Sequence, residues 1–195
     1  MQVSKPYFDF PDIENTDEFS FEKLTTENFQ QLYLLFENDD SLFTDERFKK
    51  YNTAEQYAID LDKYGRYSPK HGSQDWLFKW KGEYAGVLHL YDLSLETFAE
   101  NNKRCWIGFA TKPSLRRKGI TKKIVSYFIN YIFRDYSEIS YIHAMTLRGN
   151  IAAEALLFSV GFTKNEVERI SKRHNFYVLE RGKRWSGNSS LTNHL

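Results

Sequence analysis

The chain holds a single cysteine, almost no excess of either charge, and no long apolar run. One thiol, Cys105, excludes an intramolecular disulfide framework and any metal site built from several thiolates. No metal is expected, and a reducing compartment, the cytoplasm, is. Twenty-seven basic residues stand against 26 acidic ones, a formal net charge of +1. No global field therefore draws the protein to nucleic acid or to an anionic membrane, and partners must be recognised locally. The most apolar stretch, Ile124 to Phe133, is interrupted by Ser126 and Asn130 and falls far short of a bilayer span. Met1 to Phe19 carries Asp9, Asp12, Glu14, Asp17 and Glu18 with no apolar core, so a secretory signal is not expected there. Internal repeats and low-complexity tracts are also lacking.

What is present suits one well-filled core: 195 residues, 41% of them hydrophobic and 17% aromatic. Polar residues replace the apolar pattern at both ends, so the expected organisation is an extension over 1–18, one domain over 19–182 and a polar tail over 183–195. Phe19 to Leu24 alternates like a strand, and Phe29, Leu32, Tyr33 and Phe36 mark a helix capped by Thr25 or Thr26. An acidic loop from Glu37 to Tyr51 leads to a second helix over Thr53 to Tyr64. Asp75 to Trp80 and Tyr84 to Tyr91 alternate around Lys81, Gly82 and Glu83, which predicts a hairpin. A strand over Arg104 to Thr111, a helix over Gly119 to Asp135 and a strand over Ser140 to Leu147 follow. Then come a helix over Asn150 to Val160, closed by Gly161, and a last strand over Asn175 to Glu180. A strand meander followed by βα units gives an α/β fold: one mixed central sheet of about six or seven strands with helices on both faces.

The stretch that carries chemistry begins at Thr111 and reads T-K-P-S-L-R-R-K-G-I-T-K-K-I. It is a strand end, a proline turn, a basic cluster, a glycine and a helix start. Backbone N–H groups at a helix start lack partners and carry partial positive charge, and successive amides in a turn form a concave nest for an anion. Gly119 lets a phosphate approach the backbone closely. Arg116, Arg117, Lys118, Lys122 and Lys123 surround this point, which suits a ligand with several phosphates.

The run Pro113, Arg116, Lys118, Gly119, Ile120 resembles the acetyl-CoA loop of the GNAT superfamily of N-acetyltransferases, whose pattern is Arg or Gln, two residues, Gly, one residue, Gly or Ala. Thr121 departs at the last position; it is small, and its hydroxyl can donate to a phosphate oxygen. Asn150 to Phe162, N-I-A-A-E-A-L-L-F-S-V-G-F, resembles the helix that closes the cofactor site in the branch acting on ribosomal-protein amino termini. Thirty-one residues separate Gly119 from Asn150, room for one helix and one strand to return the chain beside the loop. The resemblance implies acetyl-CoA as cofactor, with Phe109, Ala110, Thr111, Arg116, Arg117, Lys118, Gly119, Ile120, Thr121 and Asn150 holding it. It also implies transfer of the acetyl group to a primary amine by direct attack in a ternary complex, the protein acting as a monomer or a homodimer.

Three positions depart from that branch. Trp106 stands where its Glu-Ile-Gly strand has a carboxylate, Ala153 where its closing helix has Ser, and Leu157 where other branches have Tyr. Neither base nor acid is inherited. His89, Tyr91 and His143 are the catalytic candidates, since each sits on a strand that can face the reaction centre, although packed histidines and a plain strand end read the same way. Cys105 reads as a nucleophile without an activating base, or as a buried thiol. The acidic residues Glu37, Asp39, Asp40, Asp45 and Glu46 would draw a cationic amine, or are only solvated. The missing acid and base also leave room for a non-catalytic acyl-CoA-binding module, and the basic helix start for an RNA-binding domain, against which the balanced charge argues.

Overall fold

The computed structural model describes residues 10–39, 50–64, 72–93, 103–165 and 173–183. In chain order these form β1 (Phe19–Lys23), α1 (Phe29–Leu35), α2 (Ala54–Tyr64), β2 (Gln74–Trp80), β3 (Glu83–Tyr91) and β4 (Arg104–Thr111). A single 3₁₀ turn (Pro113–Leu115) leads to α3 (Ile120–Asp135), β5 (Tyr141–Leu147), α4 (Ile151–Ser159), β6 (Thr163–Lys164) and β7 (His174–Glu180). Every strand and helix expected from the sequence is present, displaced by a residue or two at the ends. The sheet also gains β6, whose two residues are too few to show alternation. The expected cap of α1 differs: Asn28 precedes the helix and its side chain accepts from the Thr25 N–H at 2.8 Å. The acidic positions 40–49, the first nine residues and the tail beyond 183 lie outside the described residues.

One seven-stranded sheet runs β1-β2-β3-β4-β5-β7-β6. All neighbours are antiparallel except β4 and β5, which are joined through α3 and run parallel. The β2–β3 hairpin turns on Lys81 and Gly82, with φ of 53° and 85°, the paired positive values that match a two-residue turn to strand twist. Alternation in the strands splits the apolar residues between two layers. Trp76, Phe78, Leu88, Leu90, Cys105, Ile107, Ile142 and Tyr177 face α3 and α4. Leu77, Val87 and Ala110 face α1 and α2.

Residues 10–18 belong to this packing. Phe10 and Ile13 are buried in the layer under α3, and the Tyr127 and Tyr131 hydroxyls donate to the carbonyls of Glu14 and Pro11, both at 2.9 Å. At the far end of α3, Arg181 donates to the carbonyls of Phe133, Tyr136 and Ile139. A cation there satisfies oxygens that the last helical turn cannot bond internally. Both devices fix α3, the helix that follows the basic loop.

Candidate active site

The parallel pairing of β4 with β5 covers only Arg104↔Tyr141, Cys105↔Ile142, Trp106↔His143 and Ile107↔Ala144. Both strands continue, β4 to Thr111 against β3 and β5 to Leu147 against β7. Past Ile107 and Ala144 they diverge, and no rung joins them. Gly108, Phe109 and Ala110 are only half-buried for that reason. A split of this kind exposes strand-edge groups to which an extended ligand can pair as an added strand would.

β4 leads from the split directly into the basic loop. Arg117 (φ 63°) and Gly119 (φ 77°) are both left-handed, and Gly119 caps α3. The first amides of α3 have no carbonyl a turn earlier to bond, so they face outward from the loop. A Cβ built on Gly119 meets nothing within 4 Å. The side of Gly119 on which a side chain would stand is therefore open.

The cations divide. Arg117 and Lys118 are exposed and form no ion pair with a described residue, whereas Lys123 pairs with Glu18 at 2.8 Å. The Arg116 guanidinium is bound within the fold: Nε donates to the Thr111 carbonyl at 3.0 Å and Nη2 meets Asp39 at 2.6 Å. Thr121 likewise bonds Thr111, Oγ1 to Oγ1 at 2.9 Å, so its hydroxyl ties the loop to the end of β4. The side-chain oxygen of Asn150 accepts from the Ala153 N–H at 3.1 Å and caps α4. Sequence reasoning placed these residues at the loop, but not the partners their side chains take.

Asp39, read from the sequence as an attractor for a cationic amine, is only 18% exposed and serves Arg116. Because Arg116 is 44% exposed, the pair is screened by solvent. Asp39→Asn is expected to lower stability by no more than about 1 kcal/mol, read from denaturant unfolding.

The catalytic candidates all lie on the α1/α2 face of the sheet. His89 stacks on Tyr91 (ring centroids 4.6 Å), Tyr91 on Trp106 (6.1 Å), and Trp106 lies 5.0 Å from His143. Phe176 meets Trp106 edge-on at 6.0 Å. The rings cross the sheet just where β4 and β5 part. His89 and His143 are nevertheless buried, at 2% and 7% exposure. His89 Nδ1 is hydrogen-bonded to the carboxylate of Asp75, a residue sequence reasoning passed over. The only available signal was the β2–β3 register, which sets the two opposite each other. Cys105 is fully buried on the other face, and burial, with Asp92 nearby, pushes its thiol well up, so it is no nucleophile. Among the described residues no cluster fit to hold a metal occurs, and no helix is long and apolar enough to cross a membrane.

A mixed sheet that splits between two parallel strands, with a basic left-handed loop at the mouth of the split, defines an open-sheet α/β protein. The chain belongs to the GNAT acetyltransferase family: residues 19–163 match its domain, described as Acetyltransferase (GNAT) domain. It is an N-acetyltransferase, and members of this family take acetyl-CoA as donor.

Solved structures share the fold at low identity. The RimL ribosomal L7/L12 alpha-N-protein acetyltransferase in complex with coenzyme A is 16% identical with a TM-score of 0.60, covering 86% of this chain and 97% of that one. The ribosomal-protein-S5-alanine acetyltransferase from Vibrio fischeri is 13% identical with a TM-score of 0.62, covering 87% and 97%. A spermidine N-acetyltransferase SpeG chimera from Vibrio cholerae and hSSAT is 12% identical with a TM-score of 0.63, covering 84% and 96%. No curated protein matches the chain in sequence.

Proposed function

We propose that this N-acetyltransferase moves the acetyl group of acetyl-CoA onto a primary amine by direct attack in a ternary complex formed across the β4/β5 split. The observation that carries the reading is the continuity of the split with the left-handed loop at the start of α3. One extended molecule can lay its arm along the unpaired edge of Phe109, Ala110 and Thr111 and its phosphates on the amides of Gly119, Ile120 and Thr121. Arg117 and Lys118 add side-chain charge there, while Arg116 and Thr121 shape the loop through Thr111. Asn150, at the start of α4, borders the same opening from the other side. Acetyl-CoA supplies an acyl group already activated as a thioester. The protein's share is to align donor and amine and to manage one proton.

His89, Tyr91 and His143 are the proposed acceptor-side groups, gathered by Trp106 into one floor. The amine is a protein amino terminus, a polyamine or a small-molecule amine, the range spanned by the named structural neighbours. We place the protein in the cytoplasm as a monomer or homodimer, with no nucleic acid or membrane as partner.

Acetyl-CoA is expected to raise the melting temperature while acetyl phosphate leaves it unchanged, because recognition rests on the nucleotide end and not on the acyl group. At a ligand concentration 100 times the dissociation constant, the stabilisation is about 2.7 kcal/mol. Equal responses to both compounds would remove the cofactor loop from the reading.

A further inference from the structure

The gap between β4 and β5 opens on two faces of the sheet, and on the face away from α3 and α4 its walls carry no acidic residue. Successive side chains of a strand point to opposite faces. On this face Trp106 is therefore followed along β4 by Gly108 and Ala110, and His143 along β5 by Met145 and Leu147. Trp106 and His143 form one of the four rungs and stand at the narrow end of the gap. Gly108 has no side chain to fill it. The three atoms nearest to a Cβ built there all belong to His89, on the β3 side.

Met145 and Leu147 supply the second observation. Both are apolar, yet neither belongs to the layer under α3 and α4 or to the layer under α1 and α2. Leu147 is 46% exposed, and Met145 is half-buried, as is Trp106. The layer under α1 and α2 reaches Ala110 and takes in no residue of β5 or β7. Apolar surface left open beside a binding cleft suits the apolar part of a small ligand.

Charge points the same way. Asp39, Asp75 and Asp92 stand beside β3, β4 or the basic loop, but each faces a group of the protein itself: Arg116, His89 and, at 4.0 Å, Arg104. A polyamine brings several ammonium charges, and each one set against an uncharged wall loses water with no counter-charge in return. An amine with a single nitrogen becomes neutral before it attacks and leaves no charge to bury. An apolar group beside that nitrogen gains from leaving water.

We propose that the acceptor is a small primary monoamine whose nitrogen is carried next to an apolar, best an aromatic, group, with Trp106, Met145 and Leu147 as specificity-determining residues. The proposal rests on the reading of the split as the site of acetyl transfer. The nitrogen meets the thioester within the gap, and the apolar group lies on the wall formed by Trp106, Met145 and Leu147. An arylalkylamine meets both conditions; spermidine meets only the first.

The test compares 2-phenylethylamine, spermidine and a short peptide beginning with Ala as acceptors, read by release of free thiol from acetyl-CoA. Calorimetry of each amine with the coenzyme A-loaded protein runs beside it. The kcat/KM for 2-phenylethylamine is expected to exceed that for spermidine by about 10-fold or more, the margin that burial of a phenyl group supplies. Salt screens the attraction of a polycation, so the margin should not shrink at high ionic strength. Leu147→Glu, at an exposed position that tolerates charge, is expected to cut the ratio of the two kcat/KM values about 10-fold with acetyl-CoA affinity unchanged. Trp106→Leu should lower kcat/KM for 2-phenylethylamine more than for spermidine. Spermidine or the peptide turning over as well as 2-phenylethylamine would overturn the proposal, and so would a ratio that neither variant moves. Should no amine be acetylated, the calorimetry decides: 2-phenylethylamine must bind more tightly than the other two, and equal or absent binding counts against it. Failure of the unaltered protein to bind acetyl-CoA is a separate result, which removes the reading of the split itself.

Discussion

Gly119→Asp is expected to abolish the stabilisation by acetyl-CoA while the chain stays folded. The residue sits at φ 77°, so any side chain brings strain of about 1–2 kcal/mol. A Cβ there meets nothing within 4 Å, so no clash adds to that cost. An anion beside a helix amino terminus interacts favourably with the dipole, and the fold therefore tolerates the aspartate. Binding does not, because the carboxylate occupies the amides on which the phosphates are proposed to rest and repels them as well. The expected loss of affinity for coenzyme A is at least about 100-fold, or roughly 2.7 kcal/mol. Gly119→Ala carries the same strain without the charge, and it is expected to keep most of the affinity. Calorimetry on the two variants isolates the electrostatic part; near-normal affinity in the aspartate variant would move the phosphate site elsewhere.

Gly86→Ala should be costly for the opposite reason. A Cβ on Gly86 would lie 2.1 Å from the Ala110 carbonyl oxygen and 2.6 Å from the Phe78 ring. Neither neighbour can swing away, since one is backbone and the other is fully buried. β3 must separate from β4 where Gly86 pairs with Thr111, close to the register shift between Phe78 and Lys79. Overpacking of this severity costs about 3 kcal/mol, and at 2–4 °C per kcal/mol the melting temperature falls by about 6–12 °C. Donor affinity should fall with it, because β4 itself shifts and its other edge is the one proposed to hold the coenzyme arm. A melting temperature within a degree of the original would mean that the β3–β4 ladder is looser here than the distances imply.

The sequence made the repeating elements readable because alternation and the helical period are local properties. The hairpin strands, expected over Asp75 to Trp80 and Tyr84 to Tyr91, and the long helix, expected from Gly119, were legible to within a residue at their starts. Strand order was not: β7 enters between β5 and β6, and no period along the chain records which edge a returning strand joins. Side-chain partners were legible only where they are near in sequence. The bond between Asn150 and Ala153 is a cap at the usual spacing, but Arg116 with Asp39 and Asp75 with His89 depend on a sheet register and a loop path that one-dimensional reasoning does not contain. For the same reason Asp75 escaped notice while His89 did not: a histidine attracts a chemical reading by itself, and an aspartate at a strand start does not.

The short run of rungs between β4 and β5 has a mechanical consequence. The sheet is two plates, β1 to β4 and β5 to β6 through β7, hinged on four residue pairs. Trp106 stands on one plate, His143 and Phe176 on the other, so the spacing of the aromatic row varies with the hinge angle. A molecule bonded to both edges of the gap acts as a strut and fixes that angle. The surface offered to the amine is then set by whatever fills the gap on the opposite side. With the donor placed as proposed, the acceptor's floor would be braced on both edges of the gap.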